Sequence, residues 1–175
     1  MLPTGRNYFK HKILLNYEKI IAALVVIIAS VSIAFAQQNT TGTSLSKAAR
    51  LAYNWLQDEG YRPYVDSDGD VAFKVEGYNF YVLSYTDDDN FLSILLPGII
   101  SIADGEYAAG IIAADNICRG KKVVKAYLSS DNDRISLSIE MILDNNPEIG
   151  SIMERSIRLL NNARTALKEE FNDLL

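Results

Sequence analysis

"VDSDGDVAFKVEGYNFYV", residues 65–82, opens with aspartates alternating with small residues and ends in a run of alternating apolar side chains. Val71, Phe73 and Val75 alternate with Ala72, Lys74 and Glu76, the period of two that marks a half-buried strand. "EGYN" turns the chain, and a second strand follows in which Phe80 and Val82 oppose Tyr81, Leu83 and Tyr85. The aspartates then occupy "DSDGD", a loop between two strands, where Asp and Gly are the residues a hairpin turn demands. An EF-hand calcium loop requires glycine at position 6 and a bidentate glutamate at position 12. Counted from Asp66, glycine falls at position 4 as Gly69, position 12 is Gly77, and a strand follows instead of a helix. The stretch reads as sheet, with a weak cation site at Asp66, Asp68 and Asp70 as the lesser alternative.

Upstream, "YRPYV" (61–65) is extended, and Pro63 suits a sheet edge or the beginning of a strand. "SLSKAARLAYNWLQDEG" (44–60) reads as a first helix: Ser44 or Ser46 caps it, Leu45, Ala49, Ala52, Trp55 and Leu56 recur at helical spacing, and Gly60 supplies a left-handed stop. Downstream, "TDDDN" (86–90) is an acidic turn whose Asp87, Asp88 and Asp89 read as surface charge, since general acid and base roles need a partly buried pair in a cleft. "FLSILLPGIISI" (91–102) predicts a strand buried on both faces near its middle and bent or interrupted at Pro97 and Gly98. "ADGEYAAGIIAADNICRG" (103–120) predicts a second helix, capped by Asp104 and ended by Gly120, apolar nearly all round and so covered on most sides.

"KKVVKAYLSS" and "RISLSIEMIL" give two further strands around a turn at "DND". In the second, Ile135, Leu137, Ile139, Met141 and Leu143 alternate with Arg134, Ser136, Ser138, Glu140 and Ile142. The final helix starts at "NNPE", with Asn146 as cap and Pro147 in the first helical position. Its stripe of Ile149, Ile152, Met153, Ile157, Leu160, Ala163, Leu167 and Phe171 is expected to face the core; the alternative is an exposed seam for a partner or a homodimer. The order is α-ββββ-α-ββ-α, an α+β domain in which an antiparallel sheet carries helices mainly on one side. A single domain over 45–175 is expected, after a flexible polar leader "QQNTTGTS" at 37–44.

Residues 1–36 differ in kind. Arg6, Lys10, Lys12 and Lys19 stand against Glu18, and 17 uncharged residues (20–36) end with Ala34 and Ala36 in an A-x-A pattern. This is the layout of a secretory signal cleaved after Ala36, giving a periplasmic or secreted protein; retention of residues 20–36 as a membrane anchor is the alternative. That segment holds four of the 17 Lys plus Arg and one of the 22 Asp plus Glu, which leaves 13 against 21 and a net of −8 for residues 37–175. So acidic a chain repels phosphate backbones, and nucleic acid is not an expected partner. The single histidine, His11, lies in the signal, so Ser/His and Cys/His catalytic arrangements and histidine metal sites are excluded from the exported part. No cofactor or metal is expected. Cys118 is the one cysteine, so no disulfide forms within the chain, and its setting reads as a small buried hydrophobe.

The helix ending in "LQDEGY", the turn at "DSDGD", the hairpin over "FKVEGYNFYV" and the two later strands before the terminal helix together resemble the YbjN-like family, described as bacterial sensory transduction regulators. The resemblance covers roughly residues 45–171. It implies a fold similar to type III secretion chaperones and a small regulatory or interaction domain without enzyme activity, often dimeric; it supplies no catalytic residue. The leading functional expectation is an exported, non-enzymatic protein- or peptide-binding domain. Tyr64, Tyr78, Tyr81, Tyr85 and Tyr127 are its candidate contact residues, because tyrosine joins area to a polar tip. The runner-up is a small apolar ligand or lipid of the cell envelope held between sheet and helices by residues such as Ile99, Ile100 and Ile111. A hydrolase using two carboxylates is a third class, for which no pair stands out.

Overall fold

The hairpin that decides the fold forms where its alternation places it. In β2 (Val71–Val75) and β3 (Tyr78–Leu83), Phe73 pairs with Phe80 and Val71 with Val82 across an antiparallel ladder. Glu76 and Gly77 join them with φ of 50° and 83°, a two-residue turn with both central residues left-handed, whose twist matches the strands. The structure is a computed structural model that describes residues 44–175. The expected export segment over 1–36, and all of the leader except Ser44, lie outside the described residues.

β1 (Tyr64–Val65), β4 (Phe91–Ser101), β5 (Lys125–Leu128) and β6 (Arg134–Ile142) complete a six-stranded antiparallel sheet in the order β1-β2-β3-β4-β6-β5. Helices α1 (Lys47–Asp58), α2 (Tyr107–Gly120) and α3 (Ile149–Asp173) bury against one face of it, so the fold is α+β with the expected order of elements. Register builds the core. Val71, Val82, Ile94 and Ile139 are successive partners across four strands, and all are fully buried. Leu96, Leu137 and Ala126 form a second row. Each large aliphatic side chain so withdrawn from water contributes roughly 1.5–3 kcal/mol. α3 covers these rows with Met153, Ile157, Leu160, Ala163, Leu167 and Phe171, so its stripe is spent on the core and is not available as a dimer seam.

Local chemistry fixes the ends of α1. The Ser46 hydroxyl accepts from the Ala49 amide at 3.2 Å, while Asp89 accepts from Lys47 through its carboxylate and from Ala48 through its carbonyl, at 3.0 and 2.9 Å. At the other end Gly60, with φ of 81°, lets its own N–H reach the Gln57 carbonyl and that of Tyr61 reach Leu56, the paired bonds of a Schellman stop. β4 bends without breaking. Between the pairs Leu96–Leu137 and Ile100–Ile135, Pro97, Gly98 and Ile99 oppose Ser136 alone, and the Gly98 N–H donates to the Ser136 hydroxyl at 3.1 Å. This is a bulge on a continuous strand.

Several expectations need correction. Asp104 does not cap α2: Glu106 N–H bonds the Ala103 carbonyl and the Glu106 carboxylate takes the Ala103 N–H, a turn that delays the helix to Tyr107. Gly120 does end α2, as expected. α2 is also not covered all round. Its inward line is small, Gly110, Ala113 and Ala114 with Ile117, while Tyr107, Ile111 and Ile112 are exposed. Ile111 therefore cannot share a ligand pocket with Ile99 and Ile100, which are buried within the core. At α3, Ile149 N–H donates to the Pro147 carbonyl across Glu148 at φ −76°, ψ 74°. That inverse γ-turn puts Asn146 and Pro147 outside the helix, which starts at Ile149. Cys118 is exposed, not buried, and its sulfur engages both the N–H and the carbonyl of Ala126 on β5, at 3.2 and 3.5 Å.

Candidate functional site

With all three helices on one side, the opposite face of the sheet is left without a helix among the described residues. Parity decides what stands on it. Tyr64 pairs with Ala72, Ala72 with Tyr81, Tyr81 with Leu95, Leu95 with Ser138 and Ser138 with Lys125, a row running across the whole sheet. Leu83, Ser93 and Glu140 form a second row, and Phe91 and Ile142 a third. Tyr64 is 57% exposed and Ile142 80%, whereas Tyr81, Leu83, Phe91 and Leu95 are half-buried by their neighbours. Just past β3, the ring of Tyr85 meets that of Phe91 edge-on at 5.2 Å.

The face changes character across its width. From β1 to β4 aromatic and aliphatic side chains predominate, interrupted by the exposed pair Lys74–Asn79 and by Ser93. On β6 and β5 it turns polar, with Ser136, Ser138 and Glu140 beside Lys125 and Tyr127. Lys125 reaches both Glu140 oxygens at 3.1 Å, the Ser138 hydroxyl donates to the same carboxylate at 3.0 Å, and the lysine lies 5.7 Å from the Tyr127 ring. Burial raises the Tyr127 phenol above its ordinary value, with Glu140 adding to the effect and Lys125 opposing it. An apolar belt bordered by a fixed charge pair binds by area and orients by polarity.

Four of the five candidate tyrosines, Tyr64, Tyr81, Tyr85 and Tyr127, lie on or beside this face. Tyr78 does not. It shares parity with Phe80 and Val82, so it stands at the margin of the helix side, where the Arg164 guanidinium lies 4.0 Å from its ring and Lys168 donates to its hydroxyl at 2.9 Å. That lysine bond lowers its phenol below the ordinary value. Leu83, Phe91, Leu95 and Ile142 also belong to the face: the alternation places Leu83 and Ile142 on that parity, whereas the run holding Phe91 and Leu95 is apolar at both parities and hid them.

The aspartate turns do structural work. Asp66 accepts from the N–H groups of Asp68 and Asp70, both at 3.0 Å, and Asp70 accepts from Ser84 at 2.8 Å. Burial holds the Asp70 carboxyl above the usual carboxylate range; the Ser84 bond opposes this, and Asp66 and Asp68 reinforce it. The sheet edges are blunted as well: β1 has two residues, and Cys118 occupies the outward backbone of Ala126 on β5. Both edges thus offer little free backbone for strand addition.

A second concavity lies on the helix side, a groove of about 750 Å³ between the end of α2, the loop into β5 and α3. Lys121, Lys122 and Arg155 stand on its rim, and Met141, Ile152 and Leu159 on its apolar wall. Val123 in the same loop has φ of 60°, a left-handed conformation that is a true outlier for a β-branched residue.

One antiparallel sheet, helices on a single face and an open face opposite define a class of two-layer α+β domains. Within that class the chain has a YbjN-like fold. It is similar to the crystal structure of YbjN from E. coli, with a TM-score of 0.51 and 13% identity over 72% of this chain and 93% of that one. It is equally similar to an uncharacterized protein from Methanothermobacter thermautotrophicus, with a TM-score of 0.51 and 11% identity over 72% and 97% of the two chains. The ExsC–ExsE complex matches at a TM-score of 0.49 and 12% identity over 67% and 88%. At such identities the likeness is one of fold. Neither a protein-family profile nor a curated protein sequence matches the chain.

Proposed function

We propose that the domain is an exported, non-catalytic recognition module that takes a protein or peptide segment on the open face of its sheet. The observation that carries this reading is the contiguous belt of Tyr64, Tyr81, Leu83, Phe91, Leu95 and Ile142 opposite the helices. An apolar face of this kind marks an interaction surface, and tyrosine is enriched where truncation costs the most affinity. Export is expected from residues 1–36, and a chain recovered from its host beginning at Gln37 supports it; recovery of the intact chain from the membrane places the same module on an anchor.

The test installs a photo-crosslinking phenylalanine analogue at Tyr81 in the full chain, in its own host, with Asn54 on the exposed side of α1 as control. The face reading expects a defined adduct at Tyr81 that is absent at Asn54, and its loss when Leu95→Ser is added. Equal labelling at both positions, or an adduct indifferent to Leu95, counts against it. An adduct of exactly twice the chain mass assigns the face to a homodimer instead of a foreign partner.

A further inference from the structure

We propose that the groove between α2, the loop into β5 and α3 binds a long-chain fatty acid, its carboxylate held by Lys121, Lys122 and Arg155 and its chain laid along Met141, Ile152 and Leu159. This site is separate from the sheet face and from the position between sheet and helices expected for a lipid at Ile99, Ile100 and Ile111.

Three observations select this ligand. The first is size: about 750 Å³ lies within the range of small-molecule sites. The groove is lined by eleven residues, whereas a stable protein interface uses roughly 20–30 on each side. A single-chain amphiphile is of a size to fill it.

The second is charge. Residues 44–175 retain the 13 Lys plus Arg and 21 Asp plus Glu of the exported part. Arg119, Lys125, Arg134 and Arg164 are in ion pairs, with Asp115, Glu140, Asp133 and Glu76. Lys121, Lys122 and Arg155 are in none of the ion pairs among the described residues, and neither are Lys47, Arg50, Arg62, Lys74, Arg158 and Lys168; what sets the three apart is that they line one groove. Three cations with no ion-pair partner among the described residues line one groove of an acidic domain, an arrangement that an anion complements, and a guanidinium presents the fork that a carboxylate matches.

The third is the wall itself. Ile152, Arg155 and Leu159 recur at helical spacing, so apolar and cationic groups share one side of α3. A ligand charged at one end and aliphatic along the rest satisfies both. Met141 adds an adaptable thioether surface, and the left-handed backbone at Val123 is the kind of strained element found at ligand clamps.

The experiment titrates the chain, as purified from its host and stripped of lipid, with cis-parinaric acid, whose fluorescence rises in an apolar site. Saturable binding of one equivalent per chain is expected, displaced by oleate. Its methyl ester should bind at least tenfold more weakly. The triple variant Lys121→Ser/Lys122→Ser/Arg155→Ser should also weaken the acid at least tenfold with unchanged thermal unfolding, and Tyr81→Ala should leave binding unchanged. Absence of saturable binding, equal binding of acid and ester, or indifference to the triple variant overturns the proposal. Displacement by a lysophospholipid at lower concentration than oleate also overturns it, by assigning the head group to phosphate. Dependence on Tyr81 would move the ligand to the sheet face.

Discussion

Phe80 and Tyr81 are adjacent in sequence and stand on opposite faces of β3, so truncating each in turn tests the two-faced architecture at a single point of the chain. Phe80 is fully buried, and its ring centroid lies 5.4 Å from that of Phe73, its cross-strand partner. Phe80→Ala removes the ring and leaves a cavity under the helices, a change that costs about 3–5 kcal/mol. Tyr81 is half-buried between Ala72 and Leu95. Its loss removes one substantial cross-strand pair, worth about 0.2–1 kcal/mol, and some strand propensity on a scale spanning about 1 kcal/mol. Tyr81→Ala is therefore expected to cost at most about 2 kcal/mol, below the loss at Phe80. Urea unfolding followed by circular dichroism measures both, with an unchanged slope showing that the midpoint shift reports stability. Crosslinking at a neighbouring position of the face should fall for Tyr81→Ala while the domain remains folded. Equal destabilisation by the two substitutions, or the reverse order, would show that Tyr81 belongs to a packed layer, and the belt would lose its claim to be an interaction surface.

Three further outcomes follow from single residues. A side chain at Gly150 would place its first carbon 2.9 Å from the Trp55 indole nitrogen, so Gly150→Val should displace the one tryptophan, cost about 1–3 kcal/mol, and shift the intrinsic fluorescence maximum; an unmoved spectrum would contradict the packing of α3 on α1. Val123→Gly should stabilise the domain, because relief of about 1–3 kcal/mol of left-handed strain exceeds the roughly 0.5–1 kcal/mol of added chain entropy; a lower urea midpoint would refute the strain. The Asp70 carboxyl is raised, chiefly by burial, so the folded state binds its proton more tightly than the unfolded chain does. Stability from this group is fully present below the unfolded carboxylate range and is lost as pH rises through the raised value. Asp70→Asn retains an oxygen for the Ser84 amide and should flatten that fall in a pH series of unfolding midpoints; a variant whose midpoint still drops in parallel with the parent removes Asp70 as the cause.

The sheet was legible because Val71–Val75 and Arg134–Ile142 alternate cleanly and the turn residues between strands are those the geometry needs. Parity alone would have separated Tyr78 from Tyr81, since Tyr78 lies two residues from Phe80 and must share its face; grouping the tyrosines by residue type hid that. β4 gave no such information. Leu92, Ile94 and Leu96 are buried while Leu95 stands on the other side, and an apolar run cannot reveal which half faces water. Helix starts failed for a local reason: Asp104 and Asn146 are competent caps, but hydrogen bonds in the preceding turns involving Ala103 and Pro147 occupy the chain first. The groove could not be read at all, because Lys121, Lys122 and Arg155 meet only through the packing of α2 on α3 and β5.

An antiparallel sheet with helices on one face ordinarily sends polar residues to the other, since alternation then solves burial and solvation together. β6 obeys this: Ser136, Ser138 and Glu140 alternate with Ile135, Leu137 and Ile139. β3 and β4 do not, for Tyr81, Leu83, Phe91 and Leu95 occupy the solvent parity beside a fully apolar core parity. Folding does not require them there, because the core rows are complete without them and none belongs to the buried cluster. Strand propensity accounts for an isolated tyrosine or phenylalanine but not for leucines and aromatics gathered on one face of two neighbouring strands, with Tyr81 and Leu95 directly paired. What remains is an apolar surface bordered by the charge pair on β5 and β6, and the proposal that a protein segment covers it rests on that arrangement.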